Sequence, residues 1–594
     1  MSQAFPPEGK AVIPSESEES GGQGGSNPEA AKGIKATRPR DPSLPLGMTA
    51  SGGFRWPVIL ATCALFALHA AMFGAWQIDD AGISFAYARN LALGNGLVAQ
   101  PGVAPVEGYS NPLWVFLLAA FHALRLFDPL WTPKALSFAL SFGTLALLDR
   151  ILGRAGVGAG LSLLALGVLA AQSGFVIWSV SGLENPLYGF LFAGLVLLSL
   201  RALRETDGSR RPTDGCRVPA LAGLAAAGLA LTRPEGVLFA PLFPLAVAFS
   251  PFRRLARWGV YLAAFAVPVA LHLAMRLAWF GGWLPNTYYA KGGPTVAGLF
   301  RQAKFENTPP GRLLGLLQAT FGISGGWIAV ATLAAIGLLV AQKKLRRETI
   351  FLFGAVLFGA LPFLLLPVDW MPERRFATLY FPAVMAFFAL LATDSAKLLP
   401  ENCRALAGTI LAAAALALAL TSNLPRSVRF SADPTVPFAT VEERYGRTYN
   451  RFADQLQVRR GSILLPDVGG TLWRSRLTVY DLGGLCNQRI AKTLGKNDRA
   501  FHDYVFLTLR PTFIHAHQYW ALRAKLDADP RFARDYLPLF EQVEPYVTAR
   551  SKGQRLRSGD FVRKEAAEGH PAAVEAIRKE LRVGYAAERP GSPK

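Results

Sequence analysis

Residues 56–76 read WPVILATCALFALHAAMFGAW and run directly into Gln77-Ile78-Asp79-Asp80 and then AGISFAYARN, residues 81–90. The first part is an unbroken apolar run of the length a helix needs to cross a bilayer, about 17 to 25 residues. The second part sets two carboxylates at the point where that helix would leave the lipid. Ionisable groups at a membrane boundary are costly to hold there, so the pair marks either a site or a helix cap.

The rest of the chain repeats the first half of this pattern. Of 594 residues, 51% are hydrophobic and 17% charged, where soluble domains carry about 25% charged residues. A soluble enzyme, a coiled coil and a disordered protein are excluded. Apolar runs at about 56–76, 134–151, 157–178, 185–202, 219–232, 236–250, 258–280, 313–341, 349–367, 376–394 and 405–422 give about eleven transmembrane helices. The run 112–127 contains His122 and Arg125 and reads as a short interfacial helix. Counting it as a span would put Arg150 and Arg154 outside and invert every later basic loop.

The net charge of +21 follows from topology. Arg150 and Arg154, Arg201 to Arg217, Arg253 to Arg257, Lys343 to Arg347, and Lys397 with Arg404 all fall in alternate loops, as the positive-inside rule requires. A nucleic-acid partner is therefore not needed to explain the basicity. Residues 1–54 are rich in Gly, Ser, Pro and charge and read as a disordered cytoplasmic tail. Residues 55–423 form the membrane domain, with a first outer loop at 77–133. From 424 to 594 frequent charges and short apolar runs read as an extracytoplasmic α/β domain on the outer face of the membrane, with strand, Gly469-Gly470 turn and strand over 462–482, and helices near 517–528 and 570–582. Cys63, Cys216, Cys403 and Cys486 are too scattered for a disulfide framework or a zinc site. His515 and His517 share one face of a strand, which fits a metal site or ordinary core and surface histidines.

This topology gathers polar residues at one interface. Beside Asp79 and Asp80 stand Glu107, Tyr109 and Asn111 in the first outer loop, Glu184 before Asn185, Arg233 with Glu235, Asn286, Tyr289 and Lys291 in LPNTYYAK, and Asp369, Trp370, Arg374 and Arg375 in DWMPERR. Close carboxylates raise each other's proton affinity, so one can serve as a base. Lys and Arg at this level suit phosphate, and equally ordinary lipid headgroups.

The ordered segments IDDAGISFAYARN, GNGLV, VEGYSNPLW, SGLE, RPEG, LPNTYYAK, DWMPERR and DLGGL, spread over about 56–490, resemble GT-C glycosyltransferases, in particular the terminal arabinofuranosyltransferases of actinobacterial arabinan and their wider kin. Asn185 departs from that pattern, where Thr is commoner. The resemblance implies an inverting enzyme that moves one sugar, arabinofuranose-like, from a polyprenyl-phosphate carrier to an envelope glycan or glycolipid at the outer face of a bacterial plasma membrane. It implies Asp79 and Asp80 as catalytic residues, Lys291 with Arg374 or Arg375 on the donor phosphate, and Glu107, Tyr109, Asn111, Glu184, Asn286 and Tyr289 on sugar hydroxyls. No cofactor is required, and a Mg or Mn ion on the acidic pair is compatible with the residues. The competing readings are a transporter or flippase of a lipid-linked sugar, and a scaffold. Transporters of that kind place charge at the bilayer midplane and often carry internal repeats; here the charge gathers at one interface and no repeat is found.

Overall fold

The computed structural model describes residues 54–204, 216–249, 255–292, 304–545 and 555–587; the expected tail and much of the 201–217 basic loop lie outside them. Five helices among the described residues are long and apolar enough to cross a membrane: Trp131–Arg154, Asn185–Arg204, Arg257–Phe280, Arg347–Leu365 and Arg375–Leu398. Two bent pairs raise the number to seven, Ala159–Ala171 with Ser173–Ser179 at 65° and Pro309–Phe321 with Gly325–Ala341 at 91°. The first bend falls at Gln172, whose backbone is extended. The second uses Gly322 at φ 64°, where a Cβ would meet Ser422 Oγ at 2.8 Å, so only glycine turns the chain there.

The expected count of eleven is not reached by length and composition. Trp56–Ala71 has 16 residues, about 24 Å of helix against a hydrocarbon core of about 30 Å. Arg217–Thr232 and the stretch Pro234–Ala248 are also short apolar segments. Apolar runs that pack inside a helical bundle read in sequence like runs that cross lipid. Pro112–Ala123 has 12 residues, too few to span, and buries Trp114, Val115, Leu118 and Ala119. Elsewhere Leu271, Trp327 and Leu333 stand exposed, a surface suited to lipid rather than water.

The C-terminal region holds one five-stranded sheet of order β2-β1-β3-β5-β4, built from β1 (Ser462–Leu465), β2 (Thr478–Asp481), β3 (Phe513–Ala516), β4 (Tyr536–Pro545) and β5 (Arg555–Arg563). β1 pairs in parallel with β2 and with β3, while β5 runs antiparallel to β3 and β4. The expected turn at Gly469-Gly470 is instead the start of a helix, Gly469–Arg474. Parallel neighbours cannot be joined by a hairpin and need a crossover. The helices expected near 517–528 and 570–582 are Gln518–Ala524 and Pro571–Ala587.

This sheet region sits on the 77–133 loop through backbone contacts at its root. Phe438 N–H donates to Gln77 O at 2.8 Å and Asp79 N–H to Val436 O at 3.0 Å. The Gln100 amide bonds both peptide groups of Val479, at 2.7 and 3.0 Å, and so caps the open edge of β2. Arg89 donates to the carbonyls of Leu472 and Trp473 and lies 4.5 Å from the Trp473 ring. One continuous core cluster runs from Val58 in the first apolar helix to Leu465 in β1, and Gly52–Lys594 form one compact unit.

Candidate active site

The structure gives the two adjacent aspartates different surroundings. Asp79 is 4% exposed, and both its carboxylate oxygens are occupied: Oδ2 accepts the N–H of Gly469 at 3.0 Å and Oδ1 that of Gly470 at 2.7 Å. It does not cap the helix Asp80–Ala92 with its side chain. The approach is so close that a Cβ on Gly469 would overlap the Asp79 carbonyl and one on Gly82 would lie 2.5 Å from the Gly469 backbone. Burial, with Asp467 and Asp80 nearby, raises the Asp79 carboxyl well above its ordinary range despite the two N–H donors. Asp80 is half-buried and makes no hydrogen bond or ion pair among the described residues.

Charges of both signs act on Asp80. Burial raises its proton affinity, Lys291 and Arg375 pull it back, and Asp369 and Asp467 raise it further. Lys291 closes the short helix Asn286–Lys291. Asn286 fixes the start of that helix by donating to the carbonyls of Gly484 and Leu485 at 2.7 and 2.8 Å, while its N–H reaches Glu107 O at 3.1 Å. Desolvation and the neighbouring Arg375 lower the Lys291 ammonium from its usual value. Arg375 is 5% exposed, pairs with Asp369 at 3.0 Å and lies 5.1 Å from the Phe376 ring. Arg374 takes a left-handed backbone, φ 54°; burial and the positive charge of Arg426 push its guanidinium down to about 10, against the pull of Glu373.

Behind this cluster lies a closed polar network. Glu184 accepts from Arg233 at 2.5 Å and from Asn111 at 2.7 Å, Arg233 also pairs with Glu235, and Asn111 bonds Ser84 at 3.1 Å. Burial opposes ionisation of Glu184, yet Arg233 and Arg375 hold its carboxyl below the usual range. Glu107 forms a fork with Arg276, at 2.7 and 3.1 Å. The groups expected on sugar hydroxyls are thus largely engaged within the protein. Tyr109 Oη and Asn286 Oδ1 are buried without a hydrogen-bond partner among the described residues. Trp370 is exposed, and Tyr289 is half-buried with its carbonyl bonded to Lys496 at 3.0 Å.

Four side chains that sequence patterns did not single out for the site complete the picture. Arg276 sits inside an apolar run, and Asp467 and His517 lie at strand ends of the C-terminal sheet. Asp481, from the DLGGL element, accepts N–H groups from Gly484 and Cys486 at 3.0 and 2.7 Å; burial pushes it up to about 6 against those donors. Among the described residues no group of three or more His, Cys, Asp and Glu side chains forms a metal-ligand cluster. Each oxygen of Asp79 accepts one peptide N–H and keeps a second lone pair, so the acidic pair remains compatible with a divalent cation.

No protein-family model matches the chain, and no curated protein matches it by sequence. Solved structures do match. The Archaeoglobus fulgidus oligosaccharyltransferase tethered to an acceptor peptide with an NVT sequon aligns at TM-score 0.50 and 13% identity, over 84% of this chain and 74% of that one. The apo form of the same enzyme gives 0.46 and 12%, over 77% and 69%. ArnT from Cupriavidus metallidurans, bound to undecaprenyl phosphate, gives 0.43 and 12%, over 86% and 97%. At such identities the first of these likenesses speaks for the fold alone: a multi-pass helical membrane protein with the architecture of that oligosaccharyltransferase.

Proposed function

We propose that this chain is a GT-C type glycosyltransferase that transfers one sugar, arabinofuranose as the working choice, from a polyprenyl-phosphate carrier to a hydroxyl of a cell-envelope glycan or glycolipid on the outer side of the plasma membrane. The observation that carries the reading is the open carboxylate of Asp80, opposed by Lys291 and Arg375, in a bundle whose fold is that of an oligosaccharyltransferase.

The chemistry assigns each group a task. Asp80 takes the proton of the acceptor hydroxyl as its oxygen bonds the anomeric carbon from one face. The bond from that carbon to the phosphate oxygen breaks on the other face, so the configuration inverts and the carrier leaves as a phosphate monoester anion. Lys291 and Arg375 hold that phosphate and stabilise the charge it gains; the leaving group needs no strong general acid. The raised proton affinity of Asp80 suits a base, and the cations beside it keep it ionised for the donor-bound state. Asp79 serves by fixing the loop to the C-terminal region. The same cluster at one interface speaks against a transport pathway, which needs charge at mid-membrane. The test is transfer from polyprenyl-phosphoryl sugars by purified protein, with Asp80→Asn as the inactive control.

A further inference from the structure

The C-terminal sheet has a topological switch point. The chain leaves β1 for β2 on one side and then returns past β1 to β3 on the other, so the connections part between the carboxyl ends of β1 and β3. In open sheets of parallel strands, that crevice is where ligands bind. Here it holds Asp467, two residues beyond β1, and His517, the residue after β3, with Nε2 and Oδ2 at 3.0 Å. Gly469, two residues on from Asp467, donates its N–H to the Asp79 carboxylate at 3.0 Å, so the crevice lies beside the segment that carries the candidate base, and Asp467 acts electrostatically on both aspartates.

The pair is built to accept hydrogen bonds from a visitor. An imidazole that donates from Nε2 to a carboxylate is left with Nδ1 as an acceptor. Among the described residues neither His517 Nδ1 nor the second oxygen of Asp467 has a partner, and the two side chains are 37% and 21% exposed. The neighbouring histidine is different. His515 Nδ1 meets Asp560 at 2.7 Å and its Nε2 meets Tyr445 Oη at 3.0 Å, while Asp560 also accepts from Tyr585 at 2.7 Å. His515 and Asp560 are both 1% exposed, a sealed strut between β3 and β5. Two adjacent acceptors left open among the described residues match a ligand that brings hydroxyl donors.

We propose that this crevice is the acceptor subsite, in which His517 and Asp467 bind and position neighbouring hydroxyls of a glycan acceptor beside Asp80. The proposal rests on the transferase reading. The experiment measures transfer from polyprenyl-phosphoryl pentoses and hexoses to a panel of octyl glycosides, for wild type, His517→Gln and Asp467→Asn, together with binding of polyprenyl phosphate alone. Both variants are expected to raise the octyl glycoside KM at least tenfold, with kcat falling less than KM rises and polyprenyl phosphate affinity within twofold of wild type. Wild-type KM in both variants overturns the proposal while leaving the transferase reading intact. Transfer by wild type to a serine- or threonine-bearing peptide but to no octyl glycoside also overturns it. Failure of wild type to turn over any polyprenyl-phosphoryl sugar overturns the transferase reading and this subsite with it.

Discussion

Asp79 and Gly470 stand 391 residues apart in the chain and are joined by a 2.7 Å hydrogen bond from the Gly470 N–H to the Asp79 carboxylate. With the parallel bond from Gly469, it fastens the loop that follows the first apolar helix to the crossover between β1 and β2. Asp80 is left as the carboxylate that faces the cations. Asp79→Asn keeps one acceptor and turns an NH₂ group on the other peptide N–H, which a carboxyl oxygen accepts and an amide nitrogen does not, so at pH 3.5, where the raised proton affinity of Asp79 carries no penalty, it should lower stability by about 1 to 3 kcal/mol. Thermal unfolding of the purified variants at that pH checks this: Asp79→Asn should melt below wild type and Asp80→Asn should not.

The pH dependence of stability at Asp80 has a definite sign. Its proton affinity in the fold lies above the ordinary value of 3.8, so its stabilising contribution is complete below about that pH and is lost as pH rises through the folded value. Asp80→Asn should therefore melt higher than wild type at neutral pH, and the gain should disappear in acid. Unfolding curves at pH 7.5 and pH 3.5 are the comparison; a gain that grew toward acid would contradict the shift.

The activity profile carries the same coupling. Lys291 stabilises the ionised form of Asp80, so Lys291→Met should move the acid limb of the kcat/KM profile to higher pH, as that limb reports the base of the free enzyme. An unmoved limb would separate Lys291 from Asp80.

The two adjacent arginines should behave unalike. Arg375 acts electrostatically on Asp80, whereas the charge that acts most on Arg374 is that of Arg426. Arg375→Ala should weaken polyprenyl phosphate binding roughly 10- to 150-fold, the range of one charge-assisted hydrogen bond of about 1.5 to 3 kcal/mol. Arg375→Lys should recover only part of it, since a point charge replaces a planar fork. Arg374→Ala should bind the carrier within about threefold of wild type, no more than one weak hydrogen bond of about 0.5 to 1 kcal/mol. Direct binding in detergent or nanodiscs distinguishes them.

Much of this was written in the sequence, and the remainder was not for identifiable reasons. The apolar runs and the polar segments at their ends depend on local composition, and Asp80, Lys291 and Arg375 were all named from it. The engagement of Asp79 was hidden because its partners are peptide groups nearly four hundred residues downstream, and glycines there read as a turn. Arg374 and Arg375 are indistinguishable as letters; the charges that surround each in the fold differ. The bonds that join Glu184 to Asn111 and Arg233 are not legible in sequence, because buried polar side chains in a membrane protein look the same whether they bond a substrate or each other. Asp467 and His517 become neighbours only when β1 and β3 pair in parallel, which alternation of apolar residues does not reveal.

The central claim is that Asp80 is the base of a sugar transfer from polyprenyl phosphate. The most direct measurement is the single-turnover rate of transfer from a bound polyprenyl-phosphoryl sugar, in wild type and in Asp80→Asn protein shown to be folded and to bind the carrier. A loss of about 10²- to 10⁴-fold in rate with carrier affinity preserved is the predicted result. Transfer by Asp80→Asn at the wild-type rate would contradict the account.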